Sequence, residues 1–211
     1  MRLCESAAGD ELTKLKRELL VTLGRSNEAL EEAWAVFQKS PSTYSYEELM
    51  RFIPKPERPR WHAKALDAAE GGNLGSFIEL LAETEETERL VQHLKEASDN
   101  ALESLSHHVT EPAADLLAET HPEAVAKVFR ALGMRILNTK KSKHYHEALE
   151  NFEAAKDCYT RAHMSEQWDG VVAEVRRVRY RKVGFMPGFE RVVASQGPSQ
   201  ELSFLQRARK R

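Results

Sequence analysis

Cysteine is nearly absent from this chain: Cys4 and Cys158 are the two in 211 residues. With no cysteine pair at ligand spacing, a cysteine-based zinc finger cannot be built. Two thiols so far apart in sequence give no disulfide framework, and that usage fits a reducing compartment. Glycine and proline are sparse as well, at 10 and 8 residues, which speaks for helices over sheets. No run of about 18 apolar residues occurs, so no membrane-spanning helix is expected. The opening segment, MRLCESAAGDELTKLK, lacks the apolar core of a signal peptide. The expectation is a soluble, cytoplasmic chain with no membrane partner.

Catalytic fingerprints are missing too. There is no G-x-S-x-G elbow, no H-E-x-x-H pair and no nucleotide fingerprint. Gly71-Gly72-Asn73-Leu74-Gly75-Ser76 has the look of a phosphate cradle, but no Lys-Ser/Thr follows it and no apolar strand precedes it. It reads as a break between helices. The glutamates of ETEETER read as a solvated helix corner. No catalytic residue and no cofactor is assigned, and the chain is read as a non-enzyme.

What is present is helix-forming: 41% apolar and 30% charged residues, rich in Ala, Leu, Glu, Lys and Arg. The most informative stretch runs from Phe129 to Ala155. Phe129, Leu132, Gly133 and Ile136 fall on one helical face, and Gly133 removes a side chain where a second helix must come close. After a polar turn over 138–143, Ala148, Phe152 and Ala155 offer the matching small, large, small surface. Those are marks of a tetratricopeptide-like hairpin, which needs neighbours stacked on it to bury its apolar face.

Other helices are expected on both sides of this hairpin. Leu12, Leu15, Leu19, Leu20 and Leu23 make an amphipathic opening helix over 10–23, closed by Gly24. Ser26 starts a second helix, with Leu30, Ala33, Trp34 and Phe37 inward, and Pro41 stops it. Ser45 opens a third before Pro54, and Pro59 opens a fourth that ends at Gly71-Gly72. A helix over 74–81 and another carrying Leu90, Val91 and Leu94 follow. Asp99 or Asn100 is expected to cap the next helix, and Glu111-Pro112 to begin the one after. His121-Pro122 opens the helix with Gly133, Ser165 caps one containing Trp168, and Pro187-Gly188 introduces a last one. Trp34, Trp61, Trp168, Tyr145 and Phe152 read as interhelix packing.

About ten or more helices joined by short corners predict an all-α chain, an irregular tetratricopeptide-like α-solenoid or right-handed array of helical hairpins. A compact helical bundle is the alternative topology. The expected organisation is an N-terminal helix over 1–25, a helical-repeat domain over 26–195 and a basic, disordered tail over 196–211.

The net charge of -2 is unevenly spread. From Gly170 onward the chain is basic, with Arg176, Arg177, Arg179, Arg181 and Lys182 before Arg191 and the basic terminus. Arg176, Arg177, Arg181 and Lys182 are candidates for contact with an anion or partner. Two histidine groups are candidate ligand positions: His107-His108 with Glu111, and His144-x-His146 with Glu147 and Glu150. Residues at i and i+4 share a helix face, but two ligands do not make a metal site, so no metal is assigned. Cys158 reads as a small core residue and not a nucleophile.

Several segments taken in order also resemble a known family. These are AWAVFQKSPSTYSYEELMRFIP, RWHAKALDA, FIELLAET, YHEALENFEAAKDCYTRA and EQWDGVVAEVRRVRYRKVGFMPGFERVV, spanning most of 26–193. Their order resembles the helical region of bacterial proteins that carry a SWIM-type zinc finger, a region itself reminiscent of tetratricopeptide arrays. The C-x-C…C-x-H cluster of the finger is absent here, so the resemblance implies the scaffold alone. The expected function is a non-catalytic protein-interaction or assembly scaffold with a protein or peptide partner. The alternative is a nucleic-acid-associated accessory using the basic C-terminal region. Self-association is a third expectation, should the opening leucines find no counterpart.

Overall fold

The computed structural model describes residues 2–139 and 141–195, with side chains described from Leu12 onward. The basic tail over 196–211 lies outside the described residues. Those residues form twelve α-helices and no strand. Packing groups the chain into two compact units, Met1–Glu83 and Thr84–Arg211.

The first unit holds α1 (Arg2–Thr22), α2 (Ser26–Lys39), α3 (Thr43–Arg51), α4 (Arg58–Glu70) and α5 (Leu74–Glu83). Gly24, at φ +74°, turns the chain out of α1 through the left-handed region that an L side chain resists. Helix α3 starts two residues earlier than Ser45. Ser42 is its cap, and Ser42 and Ser45 exchange reciprocal side-chain-to-backbone bonds at 3.1 and 3.0 Å. Phe37, Leu49, Leu66, Ile78, Leu80 and Leu81 are fully buried and form the core of this unit.

The leucines of the amphipathic helix α1 divide between core and surface. Leu20 is buried, but Leu12, Leu15, Leu19 and Leu23 are 67, 52, 54 and 68% exposed. Helix α1 instead turns Arg17 inward, where its guanidinium reaches the buried Glu48 carboxylate of α3 at 3.5 Å. That ion pair and Leu20 lie on the same side of the helix, and the other four leucines are rotated away from them.

The second unit holds α6 (Thr87–Glu96), α7 (Asp99–Ser104), α8 (His107–Leu117), α9 (Pro122–Asn138), α10 (Tyr145–Arg161), α11 (Ser165–Arg179) and α12 (Met186–Ala194). Three starts differ from expectation. Ser98, one residue before Asp99, caps α7 by accepting from the Ala101 amide at 3.3 Å. Helix α8 begins at His107 with Ser106 as its cap, so Pro112 lies inside the helix. The cap and the Thr110 hydroxyl, which donates to the Ser106 carbonyl at 3.2 Å, hold the turn ahead of the proline. Ser165 is the first residue of α11 and makes no side-chain cap.

The pair α9 and α10 is the centre of this unit. The other helices of the unit pack on one member or the other: α6, α7 and α8 on α9, and α11 and α12 on α10. At the crossing of the pair, a Cβ added at Gly133 would stand 2.9 Å from the Phe152 ring. Phe152 is fully buried and packs edge-on against Phe189 at 5.2 Å, with Phe185 beyond it at 6.1 Å. A Cβ at Gly188 would fall 2.4 Å from Leu149, so α12 approaches α10 as closely as α9 does.

Candidate ligand groove

The sequence features of the α9–α10 region come together on one side of the hairpin. Phe129, Leu132 and Ile136, spaced i, i+3 and i+7 on α9, line a groove whose other walls are Ala114 of α8 and Ala154 of α10. Phe129 and Leu132 are almost buried, and Ile136 is half-buried. Seven residues at 1.5 Å rise make this apolar row about 10 Å long. The groove encloses about 550 Å³.

Its rim is polar and carries both signs of charge. His107 and Glu111 come from α8, and His144, Glu147 and Glu150 from the start of α10 and the turn before it. Arg135, Thr139 and Lys141 supply the end nearest the hairpin turn. His144 Nδ1 lies 2.8 Å from the Glu147 carboxylate, which fixes that ring against the first turn of α10. The His108 ring lies tilted against His107 with centroids 3.8 Å apart, and His146 is 71% exposed beside Glu147. The two histidine groups that are 37 positions apart in sequence, His107 to His144, therefore border one groove. Among the described residues no three of His, Cys, Asp and Glu stand close enough to hold a metal ion.

A second concavity, of about 430 Å³, is built around Arg130. Its guanidinium is 5% exposed and ties three helices together. It donates to Glu103 of α7 at 3.0 Å and to Glu174 of α11 at 2.6 Å, with Asp99 at 3.2 Å. Burial works against the charge of Arg130, but the Glu174 bond and the surrounding carboxylates outweigh it and raise its pKa. Asn138 donates to Glu103 at 3.1 Å and accepts from Arg179, extending the network to the ends of α9 and α11. Nothing in the sequence spacing marks Arg130, because its three acidic partners come from 27 to 44 positions away.

The basic candidates are spread over α11 and the turn that follows it. Arg176 is held by Glu190 of α12 through bonds of 3.0 and 2.6 Å. Lys182 donates to the Tyr145 hydroxyl at 3.2 Å and stacks on that ring. Arg181 lies over the Tyr180 ring at 5.2 Å, and Arg177 is exposed. Arg176 and Lys182 thus already have hydrogen-bonding partners within the protein.

Cys158 is 5% exposed, and burial pushes its thiol up to about 11. In the first unit Trp34 and Trp61 meet edge-on at 5.5 Å with Lys64 Nζ 4.3 and 4.1 Å from their rings. This pair joins α2 to α4 and leaves the lysine head at the surface. Among the described residues no helix is long and apolar enough to cross a membrane. Comparison with protein-family models, with curated proteins and with solved structures yields no match.

Proposed function

We propose that this chain is a non-catalytic protein-interaction module of the helical-repeat type, and that the groove between α8 and the α9–α10 hairpin takes an amphipathic helix from a protein partner. The observation that carries this reading is the row of Phe129, Leu132 and Ile136. Apolar positions at i, i+3 and i+7 match about two turns of a partner helix laid along the groove, whose own anchors recur at the same spacing. The rim offers Glu111, Glu147 and Glu150 on its sides and Arg135 and Lys141 at one end, which orients a partner carrying both charges. The tetratricopeptide-like solenoid and the likeness to the SWIM-associated helical region belong to this proposal. The hairpin part of that reading is supported by the Gly133–Phe152 approach, while the gathering of four helices around α9 is closer to a cluster about one hairpin than to a serial stack.

The second reading, a nucleic-acid accessory, rests on Arg177 and Arg181 of the exposed basic surface together with the basic tail over 196–211. The two separate by salt. Tagged wild-type chain and an Ile136→Asp variant are used for capture from native cells, with low-salt and high-salt washes. The interaction reading expects a defined protein held through the high-salt wash by the wild type and lost with Ile136→Asp. Nucleic acid lost between the washes, and equally from both chains, favours the second reading. A protein bound equally by both chains removes the groove from the account.

A further inference from the structure

We propose that the exposed leucine stripe of α1 is a two-fold seam through which a second copy of this chain binds. At 100° per residue, Leu12, Leu15, Leu19 and Leu23 fall within an arc of about 80°. The Leu23 amide still bonds to the Leu19 carbonyl at 3.0 Å, so the stripe runs unbroken through the end of the helix. All four side chains are more than half exposed. No charged residue between 12 and 23 falls inside the arc; Lys16 borders it and is already paired with Glu32 of α2.

The area and the composition identify the occupant. Four leucines at this exposure present on the order of 400 Å² of contiguous apolar surface, the size of the largest, often functional, patch on a monomer. Two copies burying their stripes, with the stems of Lys16 and Thr22 at the edges, remove on the order of 1,000 Å². That reaches the lower bound of a specific interface. An all-leucine seam is complementary to itself, and an isologous pairing repeats each contact about the axis, so each leucine stabilises the dimer twice. The face is also clear of the core: Arg17 and Leu20, which hold α1 in place, lie to one side of the stripe.

This inference is independent of the groove, which lies in the other unit. It is tested by sedimentation equilibrium on the full chain over roughly 1 to 100 µM, a span that brackets a modest dimer. The wild type is expected to pass from monomer to dimer across that range. A Leu15→Glu/Leu19→Glu variant is expected to weaken association at least about 100-fold, following the loss of a desolvated seam. Circular dichroism checks the fold, and both positions are exposed, so helix content is expected to stay at the wild-type value. A wild type that remains monomeric throughout, or a dimer unaffected by the double substitution, overturns the proposal. A dimer lost only together with the helical signal reports unfolding of the variant, and the decision then passes to a milder substitution. In that case a Leu12→Ser/Leu23→Ser variant repeats the test with a smaller change, and a dimer it leaves intact is equally decisive against the seam.

Discussion

Gly133→Ala sets two effects of known sign against each other. Placing alanine inside a helix usually stabilises by roughly 0.5–1 kcal/mol, because glycine loses more backbone freedom on folding. At Gly133 the new Cβ meets Phe152 ring carbons at 2.9, 3.0 and 3.1 Å. Ordinary carbon contacts lie near 3.5–4.0 Å, so the ring or the helix must retreat by about half an ångström. Phe152 has no room to swing, being fully buried against Phe185 and Phe189. Overpacking of this kind costs about 1–3 kcal/mol, so the net expectation is a loss of about 1–2 kcal/mol. The control is Gly170→Ala in α11, where an added Cβ meets nothing within 4 Å and only the helix term acts. In thermal melts followed by circular dichroism, Gly133→Ala is expected to lower Tm by about 3–6 °C. Gly170→Ala is expected to raise it by about 2–3 °C. Adding Phe152→Leu should recover part of the Gly133→Ala loss, giving a coupling of about 1 kcal/mol. If Gly133→Ala matches Gly170→Ala, the close approach of α9 and α10 is not what glycine is there for.

Three further outcomes follow from the same contacts. Replacing Arg130 with methionine leaves Glu103 and Glu174 without their shared cation. The expected loss is about 3 kcal/mol in urea titration at pH 7; a neutral effect contradicts the network. Lys156→Met removes the ammonium that donates to the carbonyls of Val192 at 2.8 Å, Val193 at 3.0 Å and Ser195 at 2.6 Å. Amide exchange in the last turn of α12 should then rise by about tenfold while α9 is unchanged; equal exchange in both proteins refutes the tether. In a Cys4→Ser background, Cys158 should resist a thiol reagent at pH 8. With the thiol raised to about 11, only about one molecule in a thousand carries the thiolate at pH 8. The reaction is expected to complete once denaturant opens the core, and rapid modification of the native protein would contradict the burial.

How far the sequence spoke for the fold depended on whether a contact was local. Gly133 and Phe152 could be paired in advance because they sit at matching depths of one hairpin, and a missing side chain opposite a large one is a short-range pattern. Caps at Ser42, Ser98 and Ser106 were misplaced by a few residues because several polar residues stand at each start. Which one turns its hydroxyl to the free amides is decided by the backbone, not by composition. Pro112 pointed to a helix start, yet the Ser106 cap five residues before the expected start at Glu111 carries the helix through it. For α1 the apolar period was legible and the direction it faces was not. The Arg17–Glu48 pair, 31 positions apart, fixes the inward face, and no window of the sequence contains both partners. The groove shows the same limit: its apolar row is written in α9, but the convergence of His107 with His144 is a product of packing.

The most direct test of the interaction account is photocrosslinking in native cells from two positions, Lys141 on the groove rim and Arg177 on the exposed basic face. The account predicts that a crosslinker at Lys141 captures a defined protein segment of amphipathic helical pattern, and that Ile136→Asp abolishes the product. Crosslinks from Arg177 alone, to nucleic acid, with none from Lys141, would contradict it.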